Sequence, residues 1–290
     1  MITFQLNFMD MKSGFKTLSL SFLFTLFAAF TYAQALTPQP SSGQTLIQDF
    51  GLGKVTINYS RPNAKERAIF GGLVPYNEIW RTGANSATTI TFTDEVNFGG
   101  QKIAAGEYAL FTIPSENEWT VVLNKAAKQW GAYTHKNEDD VLQVKVKPFK
   151  TATKVETFTI QFNNVMPGTM DLNIAWDNTQ VSVPLSVDYD ARVMANIEKA
   201  MAGEKKPYFA AAQYYFSNNK DLKQALVWVN EAEKADTKAP WIKLAKAKIQ
   251  LKMGDKKGAK VSATEGLAIA KEIKNAEYIK LNQAFLDELK

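Results

Sequence analysis

The chain has no cysteine and a single histidine, His135, in 290 residues. Without thiols there are no disulfides, no thiolate metal sites, no cysteine nucleophile and no lipid-modified cysteine at a processed N-terminus. One imidazole confines any catalytic triad to His135 and excludes a multi-histidine metal site within one chain. The phosphate-cradling GxxxxGK[ST], the zinc-protease HExxH and the hydrolase GxSxG are all missing. Gly51-Leu52-Gly53 lacks the third glycine of a dinucleotide fingerprint and precedes a strand pattern instead of a helix. No cofactor and no metal is therefore implied. Arginine is also scarce, with four residues against thirty lysines.

The length favours two domains, and 46% hydrophobic residues are enough for real cores. The net charge of +5 is unevenly placed. Residues 34–199 hold 15 Lys+Arg against 17 Asp+Glu, and residues 200–290 hold 17 against 11. The lysines of the C-terminal part are interspersed with acids, which describes a solvated helical face, and no nucleic-acid motif accompanies them.

The N-terminus reads as an address. Lys12 and Lys16 precede an apolar and hydroxylated run, Leu18 to Ala33, followed by small residues at Thr31, Ala33 and Ala35. This is the layout of a secretory signal peptide over residues 1–33, with cleavage after Ala33 or Ala35. A start at Met11 would shorten the basic region and remove Asp10. The run falls short of the roughly 20 residues of a membrane helix, so no span is expected after cleavage; an uncleaved anchor is the alternative. A periplasmic or extracellular protein with a mature segment at 34–44 is expected. Its cores must hold without disulfides.

Residues 45–188 read as a β-domain. Val55, Ile57 and Tyr59 alternate with polar residues, as do Leu142, Val144 and Val146, and Phe158, Ile160 and Phe162. Leu172, Ile174 and Trp176 form another set, and Val181, Val183, Leu185 and Val187 continue it, with Asp177-Asn178-Thr179 expected as a turn between two strands. Phe98-Gly99-Gly100-Gln101 is a turn signal, and Pro114 to Asn117 separates YALFTI from WTVVLN as in a hairpin. The expected fold class is α+β: an antiparallel β-sandwich-like, or barrel-like, domain followed by an all-α domain of helical hairpins.

Residues 189–203 form a connecting helix, ended by Gly203. Residues 204–290 repeat at an offset of 34, which aligns Asp221 with Asp255, Ala225 with Ala259 and Ala211 with Ala245. That period is the one of tetratricopeptide repeats, and Met253 to Ala259 resembles their inter-helix turn. The first-helix Leu-Gly pair is missing and Pro240 sits a few residues late. About two units and a terminal helix, Glu277 to Leu289, are expected, packed against the β-domain or the connecting helix. Their role is either a groove for a peptide or protein partner or a stabilising appendage.

Three of the four arginines, Arg61, Arg67 and Arg81, fall in one segment with Tyr59, Tyr76, Trp80, Asn85 and turn-forming Gly and Pro. A planar guanidinium holds a carboxylate or phosphate through two bonds, which lysine does not do. Tyr59, Arg61, Arg67, Trp80, Arg81 and Asn85 are therefore candidate ligand-binding residues for a small anionic or sugar-like ligand. The competing reading has the arginines fastening a long irregular loop through backbone carbonyls and acids such as Glu66, Glu78 and Glu107.

Ser60-Arg61-Pro62, Ile69-Phe70-Gly71, Leu73 to Tyr76 and Trp80 to Asn85 carry a resemblance. So do Ala105 to Tyr108, Phe111 to Pro114, Trp119 to Val121 and Gln129-Trp130-Gly131. Over about residues 45–188 the chain resembles the exported bacterial domain-of-unknown-function family twenty-nine-eleven. The resemblance implies export and a β-fold and carries no activity. Glu66 and Asn77 stand where that family often has glycine.

Chemistry is thin elsewhere. Glu138-Asp139-Asp140 reads as a solvated turn and His135 as a surface loop residue. The favoured function is a non-enzymatic envelope binding or interaction module. One alternative is a hydrolase of a glycan or other envelope polymer through paired carboxylates such as Glu78 and Glu107, set about 5–9 Å apart beside Trp80 and Trp119. A purely structural scaffold is the other.

Overall fold

The computed structural model describes residues 37–290. The signal peptide and its cleavage after Ala33 or Ala35 lie outside the described residues. Among the described residues, no helix is long and apolar enough to cross a membrane.

Ten strands form two antiparallel sheets. Strands β1 (Ser42–Phe50), β2 (Gly53–Arg61), β3 (Thr88–Phe92), β6 (Gly106–Ile113), β7 (Trp119–Asn124) and β8 (Asp140–Val146) build a six-stranded sheet in that order. Strands β5 (Gln101–Ile103), β4 (Val96–Phe98), β10 (Thr169–Ser186) and β9 (Phe149–Asn163) build a four-stranded one. Alternation dictates the layering. Val55, Ile57, Leu110, Trp119, Val121 and Leu123 of the first sheet face Phe158, Ile160, Leu172, Ile174 and Trp176 of the second in one continuous core. The expected sandwich-like domain is present, with the β6–β7 and β4–β5 hairpins at the predicted turns.

The second expected turn is not. Asp177-Asn178-Thr179 lies inside β10, an 18-residue strand. The register against β9 shifts at Ala175/Asp177 and again at Asp177/Thr179, and Asp177 carries φ +53°. Extra residues absorbed as bulges kink a long strand without ending it, so turn-forming residues mark a bend here.

After β10 the chain is helical. Helices α1 (Asp190–Met201), α2 (Tyr208–Ser217), α3 (Leu222–Ala235), α4 (Pro240–Lys252), α5 (Lys256–Glu272) and α6 (Ala276–Glu288) follow in order. The side chains of Asp221 and Asp255 accept from backbone N–H groups in the first turns of α3 and α5, so the matched aspartates are N-caps. Small residues at helix contacts, Ala212, Ala225, Val229 and Ala232, then Ala247, Ala259 and Ala263, let neighbouring helices approach. These clusters contain no residue of the sandwich or of α1. The link expected as packing is polar instead: Asp190 receives Tyr214 and Lys220 of the helical part, and Arg192 holds Asp94 through two bonds.

Candidate functional site

The irregular segment from Pro62 to Ala87, between β2 and β3, closes one end of the sandwich. Just past β2 it crosses to the other sheet: Asn63 bridges Thr157, Ala64 N–H donates to Glu156 O, and Phe158 N–H donates to Pro62 O. It then inserts Phe70 edge-on against Trp119 at 4.7 Å between ring centres, with Trp80 and Trp176 further out. Trp80 stacks on Trp176 at 5.9 Å and an angle of 14°. Trp80 finally joins β6 through paired bonds with Thr112. A loop this long keeps one shape because its apolar residues, Ala64, Ile69, Val74 and Trp80, are anchored in the core.

The loop is also strained. Lys65, Glu66, Asn77, Thr82 and Asn85 have φ between +49° and +62°. Glu66 and Asn77, which stand where the resembling family often has glycine, thus adopt the backbone that glycine favours. Thr82 is β-branched, so its left-handed conformation at φ +53° is costly. It is fully buried and held on all sides: its Oγ1 bonds Trp80 O and Thr112 Oγ1, Thr88 Oγ1 donates to its carbonyl, and Trp80 Nε1 donates to Gly83 O. Strain that the surroundings over-determine in this way fixes the direction in which the preceding residue, Arg81, projects.

Against this frame lies a cavity of about 310 Å³. Lys65, Arg67 and Arg81 are its cations, Trp80 and Trp176 form part of its apolar wall, and Pro40 and Ser41 of the N-terminal segment border it. No acidic residue lines it among the described residues. The three arginines part company here. Arg61 donates to Phe158 O and Thr159 Oγ1, and Arg67 to Ala64 O and Asn63 O. Arg81 Nε is buried and has no acceptor among the described residues. A buried donor left without a partner costs roughly 1–3 kcal/mol.

The structure thus brings Arg67, Trp80 and Arg81 of the six candidates to one cavity and sets Tyr59, Arg61 and Asn85 outside its lining. Tyr59 is a core residue whose hydroxyl donates to Gln44 and Ile160 O and accepts from Ile160 N–H. Burial pushes its phenol above the ordinary value, against the lowering effects of the Ile160 bond and Arg61. Asn85 ties Ser41 to Ser60. Glu66, Glu78 and Glu107 form no ion pair with the arginines among the described residues, so backbone carbonyls and the Thr159 hydroxyl supply the fastening. Lys65, Thr82 and Trp176 were missed from the sequence. The Thr82-Gly83 pair within a turn was the available signal; Trp176 is distant in sequence and had none.

The carboxylate pair does not assemble. Glu78 lies in the loop segment that bonds Pro114 and Thr112, at the far end of β6 from Glu107. Strand rise separates the two by roughly 20 Å, well beyond hydrolytic spacing, and Trp80 and Trp119 are core residues. His135 also differs from expectation. Its side chain is 7% exposed, and Nε2 contacts Asp140 Oδ1 at 2.8 Å, so Asp140 is buried and not part of a solvated turn. Asp140 also accepts from Asn124 and Gln143, and the His135 ring packs edge-on against Phe111. This pair pins the 125–136 loop onto the sheet.

These features define a two-domain α+β protein whose sandwich carries a basic, partly aromatic cavity at one end. The chain belongs to the family described as "Protein of unknown function (DUF2911)", whose model matches residues 41–185, half of the chain. No curated protein and no solved structure matches it.

Proposed function

We propose that the sandwich is a non-enzymatic binding module of an exported envelope protein, and that it holds a small ligand by a carboxylate or phosphate group. The observation that carries this reading is a cavity lined by Lys65, Arg67 and Arg81 and, among the described residues, by no acid; beside it stands the buried Arg81 Nε, which has no acceptor among those residues. The apolar wall of Trp80 and Trp176 accommodates a non-polar body beside the anionic group. Thermal melting of the chain from Gln34 onward, against a panel of carboxylates and phosphates, tests it. A ligand at a hundred times its Kd stabilises the folded state by about 2.7 kcal/mol. The shift should vanish in Arg81→Lys, which keeps the charge and loses the planar fork. A panel without any shift, or a shift that Arg81→Lys leaves intact, would refute the reading.

We read the helical part as tetratricopeptide-like, on the 34-residue offset between the starts of α3 and α5. A groove of about 230 Å³ between α2, α4 and α6, with Trp241, Tyr278 and Lys248 in its lining, supports a peptide or protein partner there. Crosslinking from a photoreactive residue at Trp241 tests this; the absence of any specific adduct would count against it.

A further inference from the structure

We propose a second binding site, for a neutral glycan chain, on the outer face of the six-stranded sheet. It is independent of the basic cavity. Across β1, β2 and β3 the register places Thr45 opposite Asn58 and Asn58 opposite Thr89, a row of hydroxyl and amide groups running across the strands. Ser60 and Ser86 extend it, and Gly43, opposite Ser60, leaves open space where a side chain would stand. Together they form a shallow groove of about 360 Å³. None of its lining residues is charged, although charged residues make up 22% of the chain. A solvated sheet face ordinarily carries Lys and Glu for solubility. An uncharged strip of donors and acceptors matches a ligand that is itself polar, uncharged and rich in hydroxyls.

The second observation is the neighbouring loop. Trp130 and Tyr133 are 65% and 82% exposed, the two most exposed aromatic side chains among the described residues. They are not on a slack loop. Ala87 N–H donates to Gln129 O, Gly131 N–H donates to Asn85 O, and the Gln129–Asn124, Thr134–Gln129 and His135–Asp140 contacts fasten the segment. Trp130 is bridged antiparallel to Ser86, a residue of the groove. Ala132 of the same loop packs on Ala87, Ala109, Phe111 and Val122, and the His135 ring on Phe111, all on the outer face, so the loop that carries the indole lies over the groove's side of the sheet. A rigid, exposed indole beside uncharged hydrogen-bonding groups is the combination that a sugar requires: its C–H face stacks on the ring while its hydroxyls bond the row. A peptide would pair along the free edge of β1 or seek apolar sockets, whereas this groove lies on the face of the sheet and is lined mostly by polar groups.

Calorimetric titration of the chain from Gln34 onward with cellohexaose, xylohexaose, maltohexaose and chitohexaose tests the proposal. At least one should bind. Trp130→Ala should weaken that binding by about tenfold or more, as loss of a central aromatic anchor does. Because the Trp130 ring is exposed, a thermal melt should confirm that this variant stays folded. Ser60→Lys, which puts a charged chain into the groove, should weaken it as well, and Arg81→Lys should leave it unchanged. The proposal is overturned if none of the four binds at about 5 mM, near the weakest affinity worth calling specific. It is equally overturned if Trp130→Ala and Ser60→Lys bind as the parent does, or if Arg81→Lys abolishes binding, which would place the sugar in the cavity.

Discussion

The two halves of the molecule solve the packing problem with different residues. The sandwich core is built from large side chains: Trp119, Trp176, Phe92, Phe98 and Phe158 are fully buried with a shell of Ile, Leu and Val. The helical part buries mainly alanine, at Ala212, Ala225, Ala247, Ala259, Ala263 and Ala270. Sheets lie about 10 Å apart and need long side chains to fill the gap. Helices whose backbones approach closely need short ones. The sandwich therefore concentrates its stability in a few residues, whereas the helical part spreads it over many small contacts and ion pairs.

Truncating the core should separate the halves most sharply. Trp176→Ala removes a ring that touches Trp80, Phe70 and Phe158 and should cost about 3–5 kcal/mol. Denaturant unfolding followed by far-ultraviolet circular dichroism should show the β-signal lost first, with the helical signal retained. The converse change is Ala263→Leu, which forces a larger side chain into a site with no exposed area. It should cost about 1–3 kcal/mol and shift the helical transition alone. If either substitution moves both transitions together, the halves are coupled more tightly than their separate cores imply.

A smaller effect, of opposite sign, is expected in the cavity frame. Glu66 sits at φ +60°, where a side chain is strained. Glu66→Gly should stabilise the sandwich by about 1 kcal/mol through relief of that strain, partly offset by glycine's greater freedom when unfolded. A lower melting temperature would show that the Glu66 side chain contributes something its backbone does not reveal.

The smallest effect is in pH. Burial disfavours the charged form of Glu233, but hydrogen bonds from Lys243 and Lys246 outweigh it and hold the carboxyl below its ordinary value of 4.5. A depressed carboxyl contributes stability that is complete above the unfolded value and disappears as pH falls through the folded one. The helical transition should therefore weaken in acid, below about pH 4.5, and Glu233→Gln should flatten that dependence. Because the pair is partly exposed, the change is modest. An unaltered acid profile in the variant would assign the sensitivity to other carboxylates.

Much of the plan was legible before folding. Alternation in β2, β8 and β9 and the 34-residue offset in the helices are local regularities, and local regularity survives in the fold because one face must reach a core. The edge strand β1 was half missed: SGQTLIQDF turns only Leu46 and Phe50 to the core and carries Ile47 exposed on the other face, which blurs the alternation. The bulged β10 was split in two because turn-forming residues also make bulges. Three arginines in one segment drew attention to the right loop, yet nothing in their spacing distinguished Arg81 from the other two. That distinction depends on which carbonyls lie within reach, and those of Phe158 and of the Asn63–Ala64 turn come from the crossing between the two sheets.

The sequence by itself determined the two-part architecture, the absence of thiol chemistry and the family, because composition and periodicity act through the nearest neighbours along the chain. Only the tertiary structure decided that Trp176 from β10 backs the cavity, that Glu78 and Glu107 stand at opposite ends of β6, and that His135 is buried on Asp140. The first two are distances between residues far apart in sequence, which exist only once two sheets have packed and the loop between β2 and β3 has closed over their end; the third spans five residues, but its burial needs the loop to lie against Phe111 of β6.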